Sequence, residues 1–375
     1  MSVTAITTTV AEQPDERAGM LRVGVVGAGF IAGVHARSAR TAQARLVGVV
    51  ASSPERAAGA AETIGAERGY ADLDAMLAAA ELDVLHVCTP NSLHLEAVVA
   101  AAAAGVHVIC EKPLATTAQD AATMVAVAAE AGVVGAVPFV YRFHPMVREL
   151  RARVRAGAAG NIASLHGSYL QDWLSRPEDD SWRLQADSGG ALRAFGDIGS
   201  HWCDLLEYVA DDRIARLSAR TAAVVHRPDA TTDDDVATVS FETASGRLGV
   251  LVISQVAAGR KNRLTLEISG TEASFAFDQE NPELLWVGGR DGSRLLQRDP
   301  ATLSPDAARL SHLPAGHAQG YQDCFNAFVA DSYAASRGQQ PAGLPTFEDG
   351  LRAATLAETV LASVSDNGAW TEVAR

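Results

Sequence analysis

A glycine-rich turn between a short apolar strand and a helix is the feature that most constrains this chain. The run Val23-Gly24-Val25-Val26 predicts a buried strand, and it is followed by the G-x-G-x-x-A sequence Gly27-Ala28-Gly29-Phe30-Ile31-Ala32 and a helix to about residue 42. Gly27 would permit a tight turn, and Gly29 would let the backbone approach a pyrophosphate. Such phosphates lie at the helix N-terminus, where unpaired N–H groups and the helix dipole favour anions. The pattern predicts a dinucleotide-binding turn, although glycine turns after strands also have purely structural uses.

Strands and helices continue to alternate up to residue 137. We predict strands at 46–50, 84–88, 106–110 and 133–137, separated by helices at 54–64, 73–79, 92–104 and 117–131. Strands joined by helices of this length form a parallel, doubly wound sheet, whose ligand lies beyond the carboxyl ends of the strands. Residues 21–140 are therefore expected to form a Rossmann-type dinucleotide-binding domain of the α/β class.

The second half of the chain has a different pattern. Segments of alternating hydrophobicity at 162–171, 214–225, 235–241, 247–256, 263–269 and 274–277 predict an open, largely antiparallel sheet. A chain of 375 residues also exceeds the size at which a single core stops growing. We expect an α+β domain over 141–375 for substrate binding and oligomerisation. Residues 1–20 are polar and threonine-rich, and we expect them to form a disordered tail.

Charge and composition restrict the partners. A net charge of -14 and a pI near 5.1 argue against nucleic acid or an anionic membrane as partner, because both require basic patches. The sequence has no apolar run long enough to span a bilayer and no apolar core typical of a signal peptide. The four cysteines are far apart and form no CxxC pair, which argues against disulfides and zinc and favours a cytoplasmic protein. The run Asp233-Asp234-Asp235 is interpreted as a strand-entry loop, so no metal site is predicted.

A helix predicted to begin near Asp197 carries a carboxylate and an imidazole on one face. Ile198, Trp202 and the apolar residues after them have the helical period. Residues four apart share a helical face, so Asp197 and His201 are expected to point the same way. Such a pair can move a proton. The alternative is an N-cap aspartate followed by an unrelated buried histidine.

Two polar loops, Thr89-Pro90-Asn91 with His94 and Glu111-Lys112-Pro113-Leu114, follow predicted strands at the ligand edge of the sheet. In order and spacing, the glycine turn, these loops and the Asp197/His201 pair resemble the Gfo/Idh/MocA family of NAD(P)-dependent oxidoreductases. The resemblance extends over nearly all of the chain beyond the N-terminal tail, and it implies that Lys112, Asp197 and His201 are catalytic. The expected cofactor contacts are Gly27, Gly29, Phe30, Ile31, Ser52, Ser53, Arg56, Thr89, Pro90, Asn91, His94, Glu111, Lys112 and Arg142.

The choice between NAD and NADP stays open. The strand at 46–50 is followed by Ser52 and Ser53, where an acidic residue would bind the ribose of NAD. Two hydroxyls and Arg56 are suited to a 2′-phosphate, which favours NADP slightly, whereas Glu55 opposes a phosphate.

Aromatic and polar residues gather before the central helix. Aromatic rings can contact the C–H face of a sugar, although each tryptophan alone is more often a core residue. The series Y-L-Q-D-W, W-R and G-D-I-x-x-H resembles the subgroup of the family that contains levoglucosan dehydrogenase and related pyranoside 3-dehydrogenases. The expected substrate contacts are Lys112, Tyr141, Tyr169, Asp172, Trp173, Trp182, Arg183, Asp197, His201 and, in a loop where histidines are usually solvated, His317.

The sequence thus predicts an oxidoreductase that transfers a hydride between NAD(P) and a secondary alcohol or ketone of a sugar, glycoside or cyclic polyol. His201 would act as the general base, Asp197 would orient it and Lys112 would hold the substrate oxygen; Lys112 and His201 can also exchange the base role. The alternatives are a 3-keto-sugar reductase and a non-catalytic NAD(P)-binding sensor. The resemblance further implies a homodimer or homotetramer assembled through the open sheet.

Overall fold

The N-terminal domain is built on a parallel sheet of six strands. A computed structural model describes residues 19–228, 230–232 and 234–374, so almost all of the predicted tail at 1–20 lies outside the described residues. The strands are β1 (Arg22–Val26), β2 (Arg45–Val50), β3 (Gly69–Tyr70), β4 (Val84–Val87), β5 (His107–Cys110) and β6 (Gly135–Ala136). Their spatial order is β3-β2-β1-β4-β5-β6, and every neighbouring pair is parallel. This confirms the predicted doubly wound sheet, whose strand order reverses between β1 and β4.

Helices cover both faces of this sheet. They are α1 (Phe30–Thr41), α2 (Pro54–Ile64), α3 (Leu73–Ala79), α4 (His94–Ala103) and α5 (Ala118–Ala131). Their ends follow local chemistry: in α5, the Thr117 hydroxyl accepts the N–H of Asp120 at 3.0 Å, and Gly132 closes the helix with a left-handed conformation. The predicted helix positions agree with these bounds to within a few residues.

The C-terminal domain contains a second sheet of nine strands. The strands are β7 (Ile162–Leu170), β8 (Ile214–Ala222), β9 (Val236–Thr243), β10 (Leu248–Ser254), β11 (Arg263–Gly270), β12 (Ser274–Asp278), β13 (Leu284–Gly289), β14 (Gly292–Gln297) and β15 (Thr371–Glu372). Their order is β14-β13-β12-β11-β7-β10-β9-β8-β15, with β7 and β10 parallel and the other neighbours antiparallel. The sheet is therefore largely antiparallel, as predicted. The sequence prediction omitted β13, β14 and β15, and β14 is mostly exposed and so lacks the in–out alternation that marks a strand.

Three helices pack against the second sheet, namely α6 (Pro145–Arg155), α8 (Ser200–Ala210) and α11 (Phe347–Ser365). The others are α7 (Ala186–Gly189), α9 (Pro305–Arg309), which packs on α6, and α10 (Tyr321–Ser336), and a π-helical turn (Phe195–Gly199) leads into α8. Trp202 of α8 is fully buried, packs against Phe241 and donates its indole N–H to the carbonyl of Thr265 at 2.7 Å. This contact fixes α8 on the sheet and, with it, the residues at the start of the helix.

Helix α10 returns to the first domain. Its Phe325 and Phe328 are buried in the same cluster as the residues of α1, and Asn326 accepts the hydroxyl hydrogen of Ser38 at 2.8 Å. The two domains are therefore joined by packing as well as by the chain. Among the described helices, none is both long enough and apolar enough to cross a membrane.

Candidate active site

A cavity of about 1270 Å³ runs along the carboxyl ends of the first sheet and reaches the second sheet. It starts at the β1–α1 glycine turn and ends among aromatic residues of the second domain. The predicted site residues that line it are Gly27, Gly29, Phe30, Ile31, Ser52, Arg56, Thr89, Pro90, Asn91, Glu111, Lys112, Tyr141, Tyr169, Trp173, Trp182, Arg183, Asp197 and His201. The fold thus brings together, in one cavity, residues that lie far apart in the sequence.

The glycine turn has the shape that a dinucleotide requires. Gly27 has a φ of 102°, and a Cβ there would lie 2.4 Å from the carbonyl oxygen of Cys88. A Cβ at Gly29 would meet no atom within 4 Å, so the turn is open toward the cavity at that point. Helix α1 begins without a capping side chain, which leaves its first N–H groups for an anion. These residues fit the pyrophosphate of NAD(P).

The part of the cavity beside the residues that follow β2 would hold the adenosine, and it is called the adenosine end below. Ser52 and Arg56 line it, together with the carboxylate-bearing residues Asp72, Asp74 and Glu96, which the sequence prediction did not include. Ser53 does not line the cavity, because its hydroxyl caps α2 by accepting the N–H of Arg56 at 3.3 Å.

Lys112 and Asp197 form an ion pair at the centre of the cavity. The Lys112 ammonium donates to Oδ1 of Asp197 at 2.7 Å and to its backbone carbonyl at 3.0 Å. The guanidinium of Arg183 lies 3.2 Å from Oδ1. Burial alone would raise the pKa of Asp197, but Lys112 and Arg183 outweigh burial and hold this pKa well below its ordinary value. Asp197 is therefore ionised across the physiological range.

Gln255 completes the environment of Asp197. Its amide donates to Oδ2 at 2.8 Å, so both carboxylate oxygens have partners. Gln255 was not predicted as a site residue; its position directly after β10, at the strand end that faces the cleft, is the signal that could have identified it.

His201 is surrounded by aromatic rings and does not bind Asp197. Its ring lies 5.0 Å from that of Tyr141 and 5.7 Å from that of Phe139, centroid to centroid. Burial first, and then the positive charge of Lys112, lower the pKa of His201 well below its ordinary value. Its Nδ1 is buried without a hydrogen-bond partner among the described residues. The imidazole is therefore neutral at pH 7, and Nε2 is the nitrogen left to face the cavity.

The expectation that Asp197 orients the imidazole of His201 is thus corrected. The spacing of four residues predicted a contact on a regular α-helix, but Asp197 lies in the wider π-helical turn and α8 begins only at Ser200. The carboxylate instead bonds to Lys112, Arg183 and Gln255.

The acidic run holds the start of this turn. The Asp234 carboxylate accepts the backbone N–H groups of Arg193 at 2.8 Å and Phe195 at 3.2 Å, and burial raises its pKa to about 6. Asp235 pairs with Arg193 and Arg227, whereas Asp233 lies outside the described residues. Among the described residues, no group of three or more His, Cys, Asp or Glu side chains is arranged to hold a metal ion.

A hydrogen-bonded network lines the second-domain end of the cavity. The hydroxyls of Tyr141 and Tyr169 are 2.5 Å apart, and Tyr169 donates to the amide oxygen of Asn262 at 2.8 Å. Gln171 also donates to this oxygen at 2.8 Å and accepts the indole N–H of Trp173 at 2.7 Å. Asn262 and Gln171 were not predicted as contacts, although Gln171 lies in the Y-L-Q-D-W series. The network presents hydroxyls and amides beside aromatic surfaces, which suits a polyhydroxylated ring.

His94 is the first of four further predicted residues that do not line the cavity. It is fully buried behind the site, with one ring nitrogen 3.0 Å from the Thr89 carbonyl and the other 3.1 Å from that of Pro113. His94 therefore connects the two polar loops and is too deep to contact a ligand.

Arg142, Asp172 and His317 are directed elsewhere. Arg142 is paired with Asp204 and Asp349 in the interior. Asp172 accepts from Lys261 at 2.8 Å, outside the cavity. His317 is exposed in its loop and does not line the cavity. Each of these predicted contacts is corrected by a local partner or position that the sequence did not reveal.

Comparisons with known proteins agree with this geometry. The GFO_IDH_MocA model, described as an oxidoreductase family with an NAD-binding Rossmann fold, matches residues 21–139, and the GFO/IDH/MocA C-terminal domain matches residues 147–276. Levoglucosan dehydrogenase of Pseudarthrobacter phenanthrenivorans is 31% identical over 94% of this chain and 98% of that protein.

Solved structures show the same likeness. A structure of levoglucosan dehydrogenase in complex with NADH and levoglucosan has a TM-score of 0.87 at 29% identity and covers 94% of this chain and 99% of its own. An inositol dehydrogenase homolog from Azotobacter vinelandii with NAD+ has a TM-score of 0.88 at 26% identity, over 95% of this chain and 98% of its own. Two family models over most of the chain and a relative of nearly equal length show that the chain belongs to the Gfo/Idh/MocA family of oxidoreductases.

Proposed function

We propose that the protein transfers a hydride between NAD(P) and a secondary alcohol or ketone of a sugar, glycoside or cyclic polyol. The observation that carries this proposal is the single cavity that joins the glycine turn to Lys112, Asp197 and His201. The nicotinamide, when bound, supplies the site that accepts or donates the hydride. Named dehydrogenases of levoglucosan and inositol among the relatives support the substrate class.

Lys112 is placed to hold the reacting oxygen. An ammonium has three N–H donors, and two of those of Lys112 bond to Asp197, which leaves one for the substrate. During oxidation of an alcohol, negative charge develops on this oxygen, and the fixed positive charge stabilises it. Asp197 keeps the ammonium in place without moving a proton itself.

His201 is placed to take the proton of the hydroxyl. In this proposal the single proton of the neutral ring is on the buried Nδ1, which leaves the Nε2 lone pair for the cavity that His201 lines. The proton moves from the hydroxyl to Nε2, and in the reverse reaction it returns from Nε2 to the carbonyl oxygen. Since burial and Lys112 disfavour the imidazolium, His201 releases the accepted proton readily.

A substrate panel tests the proposed function. Neutral sugars, their glycosides and cyclic polyols are incubated with NAD and NADP, and the corresponding ketones with the reduced cofactors, while nicotinamide absorbance is followed. We expect turnover with at least one compound. Binding of the cofactor, seen as a rise in melting temperature, without any turnover would instead favour the NAD(P)-binding sensor.

For the cofactor, we propose NAD. Arg56 is the one cation among the described residues that line the adenosine end, and Asp72, Asp74 and Glu96 surround it with negative charge that opposes a 2′-phosphate. NADH and NAD+ occupy the solved relatives. The expected result is a kcat/KM for NAD at least about tenfold above that for NADP, and Arg56→Ala should lower only the residual use of NADP. A preference for NADP would contradict the assignment.

For assembly, we propose a homo-oligomer formed through the open face of the second sheet. Leu248, Val250 and Val252 of β10 project from this face and are 59%, 46% and 38% exposed. Exposed apolar side chains in a row mark an interface. Light scattering after size-exclusion chromatography should show a dimer or tetramer that Val250→Glu dissociates; a monomeric wild type would rule out this interface.

A further inference from the structure

Four side chains form a hydrogen-bonded chain behind the cavity that the proposed reaction does not use. One ring nitrogen of His35, Nε2, lies 3.0 Å from Oε1 of Glu111, and its Nδ1 lies 2.8 Å from Nδ1 of His86. Nε2 of His86 lies 2.9 Å from the hydroxyl of Tyr333. His35 and His86 are fully buried, and Tyr333 is 1% exposed. The chain crosses the first domain from α10, through β4 and then α1, to the residue that follows β5.

The chain ends one residue from the catalytic lysine. Oε2 of Glu111, the oxygen that His35 does not contact, accepts the backbone N–H of Lys112 at 3.1 Å. The side chain of Lys112 then reaches Asp197. The orientation of the Glu111 carboxylate therefore affects the position of the Lys112 backbone, from which the side chain with the ammonium extends.

The donor and the acceptor of each hydrogen bond in this chain can be assigned in turn, starting from Glu111. An ionised carboxylate can only accept, so Nε2 of His35 donates to Glu111. Burial alone would raise the pKa of Glu111, but His35 and Lys112 together outweigh burial and hold this pKa below its ordinary value, which agrees with an ionised carboxylate. Two facing Nδ1 atoms need one donor and one acceptor. With a single proton on His35, His86 donates from Nδ1 and Tyr333 donates its hydroxyl hydrogen to Nε2 of His86.

We propose that Tyr333, His86 and His35 form a directional hydrogen-bond chain, every donor pointing toward Glu111, that positions Lys112 for catalysis. His35, His86 and Tyr333 are positioning residues, since none of them lines the cavity. Buried polar groups are costly unless every member is bonded, and apolar residues of the same size would pack this region at lower cost. A complete hydrogen-bond chain that ends at Glu111, beside Lys112, therefore supports a role in holding the backbone of Lys112 in position. The effect on turnover rests on the proposed function, whereas the direction of the chain does not.

The direction is tested on the cofactor-free protein by ¹⁵N NMR of labelled histidines, which reports the protonated nitrogen of each ring. We expect a proton on Nε2 of His35 and on Nδ1 of His86 at neutral pH. Tyr333→Phe keeps the shape but removes the last donor, so it should mix the tautomers of His86. A doubly protonated His35, a proton on Nε2 of His86, or unchanged tautomers in Tyr333→Phe would overturn the proposed direction.

The effect on Lys112 is tested with a matched pair of variants at His35. His35→Gln keeps an N–H donor near the position of Nε2, whereas His35→Met has similar volume and no donor. We expect His35→Met to lower kcat about tenfold while KM and cofactor affinity change less than about threefold, and His35→Gln to restore most of kcat. Equal kcat losses in both variants, or losses that track their melting temperatures, would show a merely structural role.

These outcomes separate the two proposals. If the wild type turns over no compound of the panel, the proposed function fails while the NMR result still decides the direction of the chain. If the wild type is active and His35→Met keeps its kcat within twofold, the positioning role is overturned. If His35→Met does not fold, the kinetic comparison uses Tyr333→Phe instead. We expect this variant to lower kcat about threefold. An unchanged kcat would show that the hydrogen-bond chain does not position Lys112.

Discussion

The ammonium of Lys112 and the carboxylate of Asp197 meet 2.7 Å apart across the cleft between the two domains. Lys112 follows β5 of the first sheet, and Asp197 lies in the π-helical turn before α8, which packs on the second sheet. Both side chains are mostly buried, at 14% and 12% exposure. The pair therefore fixes the position of a positive charge in the cavity between the glycine turn and the aromatic residues of the second domain.

The two glycines of the turn should respond differently to alanine. Gly27→Ala should unfold at a lower temperature, because φ is positive and the new Cβ would meet the Cys88 carbonyl. Gly29→Ala should keep the wild-type melting temperature, since its Cβ meets no atom, and should weaken cofactor binding by filling the space where the pyrophosphate approaches. Thermal unfolding and cofactor titration check both. Equal melting temperatures for the two variants would contradict the geometry of the turn.

Replacement of the proposed base should abolish most turnover without loss of the cofactor. His201→Asn is expected to lower kcat about a hundredfold or more, as removal of a general base typically does. Cofactor affinity, measured by fluorescence titration, should change less than about threefold. His312→Asn, at an exposed position outside the cavity, is the control. Turnover of His201→Asn within a fewfold of the wild type would exclude the assigned role.

The environment of His201 predicts a low acid limit for activity. Because its pKa is depressed in the folded protein, the imidazole is already unprotonated at neutral pH and stays so well below the ordinary value of about 6.5. The plateau of kcat/KM should therefore extend below about pH 6.5. A half-maximal rate at or above that pH would show that the base is not a buried, neutral histidine.

The same shift predicts a pH-dependent stability. Below about pH 6.5 the unfolded chain binds a proton at His201, whereas the buried ring in the folded protein does not. The contribution of His201 to the free energy of unfolding is therefore greatest above this pH and decreases as the pH falls. His201→Asn should reduce the dependence of melting temperature on pH between about 5 and 7. An unchanged pH dependence would contradict the shift.

Gln255 is expected to affect kcat through its hydrogen bond to Asp197. Gln255→Met removes the donor to Oδ2 of Asp197 at nearly constant volume. One hydrogen bond to a charged group corresponds to roughly a tenfold change, so kcat should fall by about that factor while the melting temperature changes little. Gln297→Met, at an exposed position on β14, serves as the matched control. An unaffected kcat would mean that Lys112 alone suffices to hold the carboxylate.

Much of the fold follows from local patterns. The strand and helix periods located five of the six strands of the first sheet and missed only the two-residue β3, and the glycine turn located α1 because the positive φ at Gly27 favours glycine. Lys112, Asp197 and His201 were also placed in one cavity correctly. These predictions depend on backbone geometry that neighbouring residues determine.

Side-chain partners were harder to predict, because they depend on tertiary contacts. Arg142 faces inward because Asp204 and Asp349, which come much later in the chain, meet it there. The π-helical turn at Asp197 has no distinct sequence period, so the predicted contact with His201 was wrong. Gln255 and Asn262 reach the site only because the order of the second sheet brings their strand ends to the cleft.

Transfer of deuterium from substrate to cofactor is the most direct test of the central claim. A substrate found in the panel is labelled at the carbon that bears the reacting hydroxyl and incubated with the oxidised cofactor. Mass spectrometry of the reduced cofactor should then show one deuterium per molecule formed, with a rate that Lys112→Met lowers at least about a hundredfold. A reduced cofactor without deuterium, or a rate that Lys112→Met leaves unchanged, would contradict hydride transfer at this site.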